Sequence, residues 1–138
     1  MSDAKEDRLR GLPLFQHANK TAISHLASAA DEVTVPAGRT LIIEGRTSNE
    51  MYVIETGTAS VLIDGNEVAE IPAGEMFGEI AFFVRGPATA TVQAKTEMEV
   101  LIIPHNRFDQ ILDENPDLVR GIASELAVRL QATDAKLH

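Results

Sequence analysis

Hydrophobic positions recur at two different spacings along the chain, and the changes from one to the other divide it into three parts. Between about residues 6 and 30, Leu9, Leu12, Ile23, Leu26 and Ala30 stand at helical intervals among charged positions, and Pro13 interrupts the run, so two short helices are expected. From Val33 to Ile103 β-branched residues become frequent and Gly or Pro recurs every few positions, as short strands joined by tight turns require. The pattern places strands at 33–35, 40–43, 51–55, 58–63, 67–71, 90–95 and 98–103. After Pro104 the helical spacing returns in Phe108, Ile111 and Leu112, and Asn115-Pro116 supplies a cap followed by proline at the first helical position. The long helix that starts there carries a stripe of Leu118, Ile122, Leu126 and Leu130, with Glu125 four residues before Arg129. That stripe packs either back on the strands or against the same helix of a second copy, and periodicity alone does not choose between them.

Turn chemistry sharpens the middle part. Asp64-Gly65 between two strands suits a type I′ hairpin. Pro-Ala-Gly occurs at 36–38 and again at 72–74, each time after a short strand, and Pro at i+1 with Gly at i+3 predicts a type I turn. The repetition reads either as two similar halves or as one turn solution used twice.

At 138 residues and 44% hydrophobic, residues 1–138 are expected to form one domain with one core. There is no cysteine, which excludes disulfides and thiolate metal sites and leaves the cytoplasm as the expected compartment. Residues 1–10 are polar and mixed in charge, unlike a signal peptide, and no apolar run approaches membrane-spanning length, so a soluble protein is expected. The net charge is -9, and residues 36–104 hold ten acidic against four basic residues, so binding of nucleic acid by this chain alone is not expected. His17, His25, His105 and His138 are scattered, with no i, i+4 pair and no Gly-x-Ser-x-Gly elbow, so neither catalysis nor metal binding is expected.

The most informative segment is FGEIAFFVRGPATATV, Phe77 to Val92. Gly78 permits close backbone approach, and Ile80 to Val84 can form one helical turn whose unpaired N–H groups suit an anion. Glu79 at that start either caps the turn or accepts from a neutral hydroxyl such as a sugar 2′-OH.

The segment resembles the phosphate-binding cassette of the cyclic-nucleotide-binding domain family, through Phe77, Gly78, Glu79, Ile80, Ala81, Pro87, Ala90, Thr91 and Val92. Leu14-Phe15, Pro36-Ala37-Gly38, Glu44-Gly45, Met51-Tyr52-Val53-Ile54 and Gly57 extend the resemblance over about residues 12 to 130. It implies a mainly β fold: an eight-stranded, jelly-roll-like β-roll with N-terminal helices and a C-terminal helical lid. It also implies cyclic AMP or cyclic GMP as ligand, signalling by movement of the C-terminal helix, and a site formed by Phe77, Gly78, Glu79, Ile80, Ala81, Ala88, Thr89, Ala90 and Thr91, to which the sequence adds Arg85 of the same loop as a candidate.

One position departs from the family. The arginine that pairs with the cyclic phosphate falls on Ala88, and losing a buried charge partner costs about 3–5 kcal/mol. Arg85, three residues earlier, is either a replacement assisted by the Thr89 and Thr91 hydroxyls or a solvated loop residue. Two functions follow: a nucleotide-responsive sensor, or a degenerate relative kept for interaction or dimerisation through its final helix.

Overall fold

Fourteen short elements follow one another in the computed structural model, which describes residues 4–137 without the side chains of residues 129, 130 and 132–137. Residues 1–3 and His138 therefore lie outside the described residues, as do the side chains of Leu130 in the stripe and of Arg129 in the expected pair with Glu125. The order is α1 (Ala4–Arg10), a 3-10 turn (Pro13–Phe15), α2 (Lys20–Ala29), β1 (Asp31–Val35), β2 (Thr40–Ile42), β3 (Glu50–Thr56), β4 (Ala59–Ile63), β5 (Asn66–Ile71), β6 (Met76–Phe77), α3 (Ile80–Phe83), β7 (Thr91–Ala94), β8 (Met98–Pro104), α4 (His105–Glu114) and α5 (Pro116–Leu137). Asn19 starts α2 by accepting the Ala22 N–H at 2.8 Å on its side chain. The two-residue strand β6 falls outside all seven runs read from the sequence, because Met-Phe beside Gly78 is too short to show alternation.

The eight strands form two antiparallel four-stranded sheets, ordered β1-β8-β3-β6 and β2-β7-β4-β5. Among the described residues no strand of one sheet pairs with a strand of the other, which corrects the closed eight-stranded β-roll implied by the resemblance. The reason lies at the two Pro-Ala-Gly turns, where the chain passes from an edge strand of one sheet to an edge strand of the other, from β1 to β2 and from β5 to β6. Gly38 (φ +90°) donates to Ala94 O at 2.8 Å while Ala94 donates to Arg39 O at 2.8 Å. In the same way Gly74 (φ +91°) donates to Ile54 O at 2.8 Å while Ile54 donates to Glu75 O at 2.9 Å. Each is a bulge in which two residues oppose one, led by a glycine in the left-handed region. A proline without an N–H and a bulge that twists the strand away leave no ladder to carry across the edges.

The first of these turns is also not type I. Arg39 N–H donates to Pro36 O at 3.2 Å, so Gly38 occupies the third position with positive φ, the requirement of type II. The hairpin at Asp64-Gly65 is as expected: both residues have positive φ, 52° and 82°, between the paired Ile63 and Asn66.

The buried residues form two clusters on opposite faces of the first sheet. Between the sheets lie Val35, Ile42, Tyr52, Ile54, Phe77, Val92, Met98 and Val100. On the other face, Met51, Val53, Leu101 and Ile103 pack against Leu9, Phe15, Ile23, Leu26, Phe108, Leu118 and Ile122 from the helices. Being covered on both faces, β3 reads as the unbroken apolar run Met51-Tyr52-Val53-Ile54. Leu118 and Ile122 thus pack back on the domain, whereas Leu126, Val119 and Val128 are exposed.

Candidate functional site

Phe77 enters the segment from β6, stacked on Tyr52 with ring centroids 4.8 Å apart. Gly78 follows with φ +87°, and a Cβ there would stand 2.6 Å from Glu50 O, so only glycine lets the turn lie against β3. Its carbonyl meets His105 Nε2 at 3.1 Å, and the His105 N–H donates to Asn49 O at 2.8 Å. Burial holds the imidazole below its ordinary pKa, partly offset by the bond to Gly78. The neutral ring with its proton on Nε2 is then the donor that ties the turn to the first residue of α4.

Glu79 stands at the start of α3, and its side chain does not cap the helix. One of its carboxylate oxygens is shielded from solvent. Ile80 is exposed and Ala81 half-buried, and the single turn closes when Val84 N–H donates to Ile80 O at 2.7 Å. Phe82 turns inward, meeting Phe108 at 4.8 Å and His105 at 5.6 Å, both edge to face.

Beyond α3, Arg85 and Gly86 line a hollow of about 350 Å3 together with Ala81, Phe82, Thr47, Ser48, Asn49, His105, Asn106 and Asp109. Ala88 is half-buried against the inter-sheet cluster, Thr89 is exposed and Ala90 half-buried. Thr91 alternates with buried Val92, and its hydroxyl accepts the Glu44 N–H at 3.0 Å. Gly78, Glu79, Ala88, Thr89, Ala90 and Thr91 are not among the residues lining this hollow.

The element that gathers these pieces is the loop from Ile43 to Asn49, between β2 and β3. Gly45 N–H donates to Ala88 O and Ala88 N–H to Arg46 O, both at 2.8 Å. The loop also walls a second, neighbouring hollow of about 710 Å3, formed by Leu41 to Ile43, Arg46 to Glu50, Tyr52 and Pro104 to Asn106. There the Tyr52 hydroxyl reaches Glu50 Oε1 at 3.3 Å, and burial, reinforced by that carboxylate, pushes the phenol up to about 12. Sequence reasoning used Glu44-Gly45 only as a turn and missed Arg46 to Asn49 and His105. A glycine before a lone arginine was the one available signal for the loop, and nothing in the sequence marks the His105–Gly78 contact. No group of three or more His, Cys, Asp or Glu among the described residues is placed to hold a metal ion.

A glycine-led turn is thus fastened to a sheet on one side and to the start of α4 on the other, and the family matched by the chain makes it a ligand-sensing regulatory domain. Residues 32–115 match the cyclic nucleotide-binding domain, and the chain belongs to that family. The cAMP-activated global transcriptional regulator CRP of Salmonella typhimurium is 35% identical over 108 residues, covering 74% of this chain and 51% of the regulator. The human potassium/sodium hyperpolarization-activated cyclic nucleotide-gated channel 4 is 30% identical over 125 residues, covering 91% of this chain. The chain spans 10% of that channel's length. The crystal structure of the N-terminal domain of a transcriptional regulator from Streptomyces coelicolor A3(2) superposes with a TM-score of 0.83 at 31% identity, covering 96% of each chain. None of the helices formed by the described residues is long and apolar enough to cross a membrane.

Proposed function

We propose that this domain binds a cyclic nucleotide, cyclic AMP or cyclic GMP, at the 77–91 turn and signals through its C-terminal helices. Glu79 accepts from the ribose hydroxyl, the turn from Gly78 into α3 together with Arg85 holds the phosphate, and α4 and α5 respond. The observation that carries this reading is the Gly78 O to His105 Nε2 contact of 3.1 Å, which makes the ligand turn and the start of the lid helices one mechanical unit. The relatives supply the ligand class: one is named for activation by cAMP and another for gating by cyclic nucleotides. The absence of cysteine fits a cytoplasmic setting, and exposed Leu126 and Val128 on α5 fit a second copy meeting that helix.

Titration calorimetry with cyclic AMP and cyclic GMP tests it. Binding by the wild type is expected, and Glu79→Ala should weaken it by about 10- to 100-fold, the worth of a hydrogen bond to a charged acceptor. Ala88 favours a second reading, because its methyl packs against the inter-sheet cluster where the family has a charged side chain. A wild type silent at millimolar ligand, with binding recovered in Ala88→Arg, would establish the degenerate module and reject the sensor.

A further inference from the structure

The loss of a guanidinium at position 88 coincides with a gain directly opposite it. Gly45 has φ +85°, donates to Ala88 O at 2.8 Å, and is followed by Arg46, whose carbonyl accepts the Ala88 N–H at 2.8 Å. This is the two-against-one pairing of a glycine-led bulge, a device that re-aims the residue after the glycine. Here that residue is an arginine and the residue it opposes is Ala88. Arg46, an exposed residue, is among those lining the hollow of about 710 Å3 with Ser48, Tyr52 and His105, while Arg85 lines the adjoining hollow of about 350 Å3. The two hollows share Thr47, Ser48, Asn49, His105 and Asn106, so one arginine lines each of two hollows that meet at this polar loop. Glu50 is the carboxylate lining the same hollow as Arg46, and it is engaged by the Tyr52 hydroxyl. Among the described residues Arg46 forms no ion pair.

We infer that Arg46 carries the guanidinium for the ligand's phosphate, moved across the bulge from position 88 to the facing loop. The assignment rests on the cyclic-nucleotide reading and deepens it by naming a phosphate-binding residue that the cassette itself does not contain. An arginine is suited to the task because its rigid fork of donors matches phosphate oxygens and it remains charged at every physiological pH.

The test compares wild type, Arg46→Ala, Arg46→Lys, Ala88→Arg and the double variant Arg46→Ala with Ala88→Arg. Each is titrated with cyclic AMP and with adenosine, which lacks the phosphate, and thermal melts check that each is folded. Arg46→Ala is expected to weaken cyclic AMP at least about 100-fold, the scale set by losing a charged partner, while leaving adenosine unchanged. Arg46→Lys should keep part of the affinity, and the double variant should regain it. Equal cyclic AMP affinity in wild type and Arg46→Ala, or a parallel loss for adenosine, overturns the assignment and leaves the proposed function standing. Binding by Ala88→Arg alone overturns the assignment together with the sensor reading, and silence from every variant overturns the cyclic-nucleotide reading as a whole.

Discussion

Gly78 shows how narrow the tolerance is at single positions. Its φ of +87° already disfavours any other L-residue, and an added Cβ would meet backbone, Glu50 O at 2.6 Å, which cannot swing aside as a side chain could. Gly78→Ala is therefore expected to cost about 2–3 kcal/mol, read as a lowered urea midpoint. Gly38 has a similar φ of +90° but nothing within 4 Å of its Cβ position, so Gly38→Ala should cost only about 1 kcal/mol. Equal losses at the two sites would show that the approach to β3 contributes nothing. The sequence revealed Gly78 and Glu79 readily, since a Gly-Glu pair before an apolar turn is a local signal. It could not reveal that Ala88, which breaks the family pattern, faces Arg46, because forty-two positions of chain separate them and only the bulge at Gly45 brings them together.

Elements, rather than residues, decide how the first sheet responds to pH. Glu55 on β3 is 8% exposed and faces Glu32 of β1 across β8, with Arg8 of α1 and Glu99 of β8 close by. Burial, then the contact with Glu32, raises its carboxyl above the ordinary value of 4.5. The folded chain thus holds a proton that the unfolded chain releases, so this stabilisation is complete below pH 4.5 and is lost as pH rises through the raised value. Glu55→Gln, uncharged at every pH, should be more stable than wild type at pH 7, with the difference vanishing near pH 4. Melting temperatures across that range decide it, and a wild type that gains on the variant as pH rises would contradict it. Elements were also where sequence reading was most reliable. All seven strand placements overlap observed strands, because alternation and Gly or Pro punctuation are local. What pattern could not supply was closure, since whether edge strands join depends on the bulges that the Pro-Ala-Gly turns create.

Across the whole molecule the helices converge on one aromatic cluster. Phe108 of α4 is fully buried and meets Phe15 of the N-terminal turn at 6.1 Å, Phe82 of α3 at 4.8 Å and Phe83 at 6.3 Å. Leu118 and Ile122 of α5 belong to the same buried cluster as Phe15 and Phe108, and at the surface Gln16 beside that turn donates to Glu125 of α5 at 2.7 Å. Phe108→Ala should cost about 3–5 kcal/mol in denaturant unfolding, as large-to-small changes in a filled core do. A loss below about 1 kcal/mol would mean that the helices hold together without it.

Among the described residues no backbone ladder joins the two sheets, which meet through apolar side chains and through Tyr52, whose hydroxyl donates from β3 to Leu41 O of β2 at 3.4 Å. Widening the rim near Tyr52 and Ala88 would part apolar side chains and that hydroxyl bond while leaving the ladders within each sheet intact. Admission of a guest is opposed by the return of apolar surface to water, about 25 cal/mol per Å2, together with dispersion contacts of about 0.1–0.2 kcal/mol per atom pair, and not by the ladders that hold each sheet together.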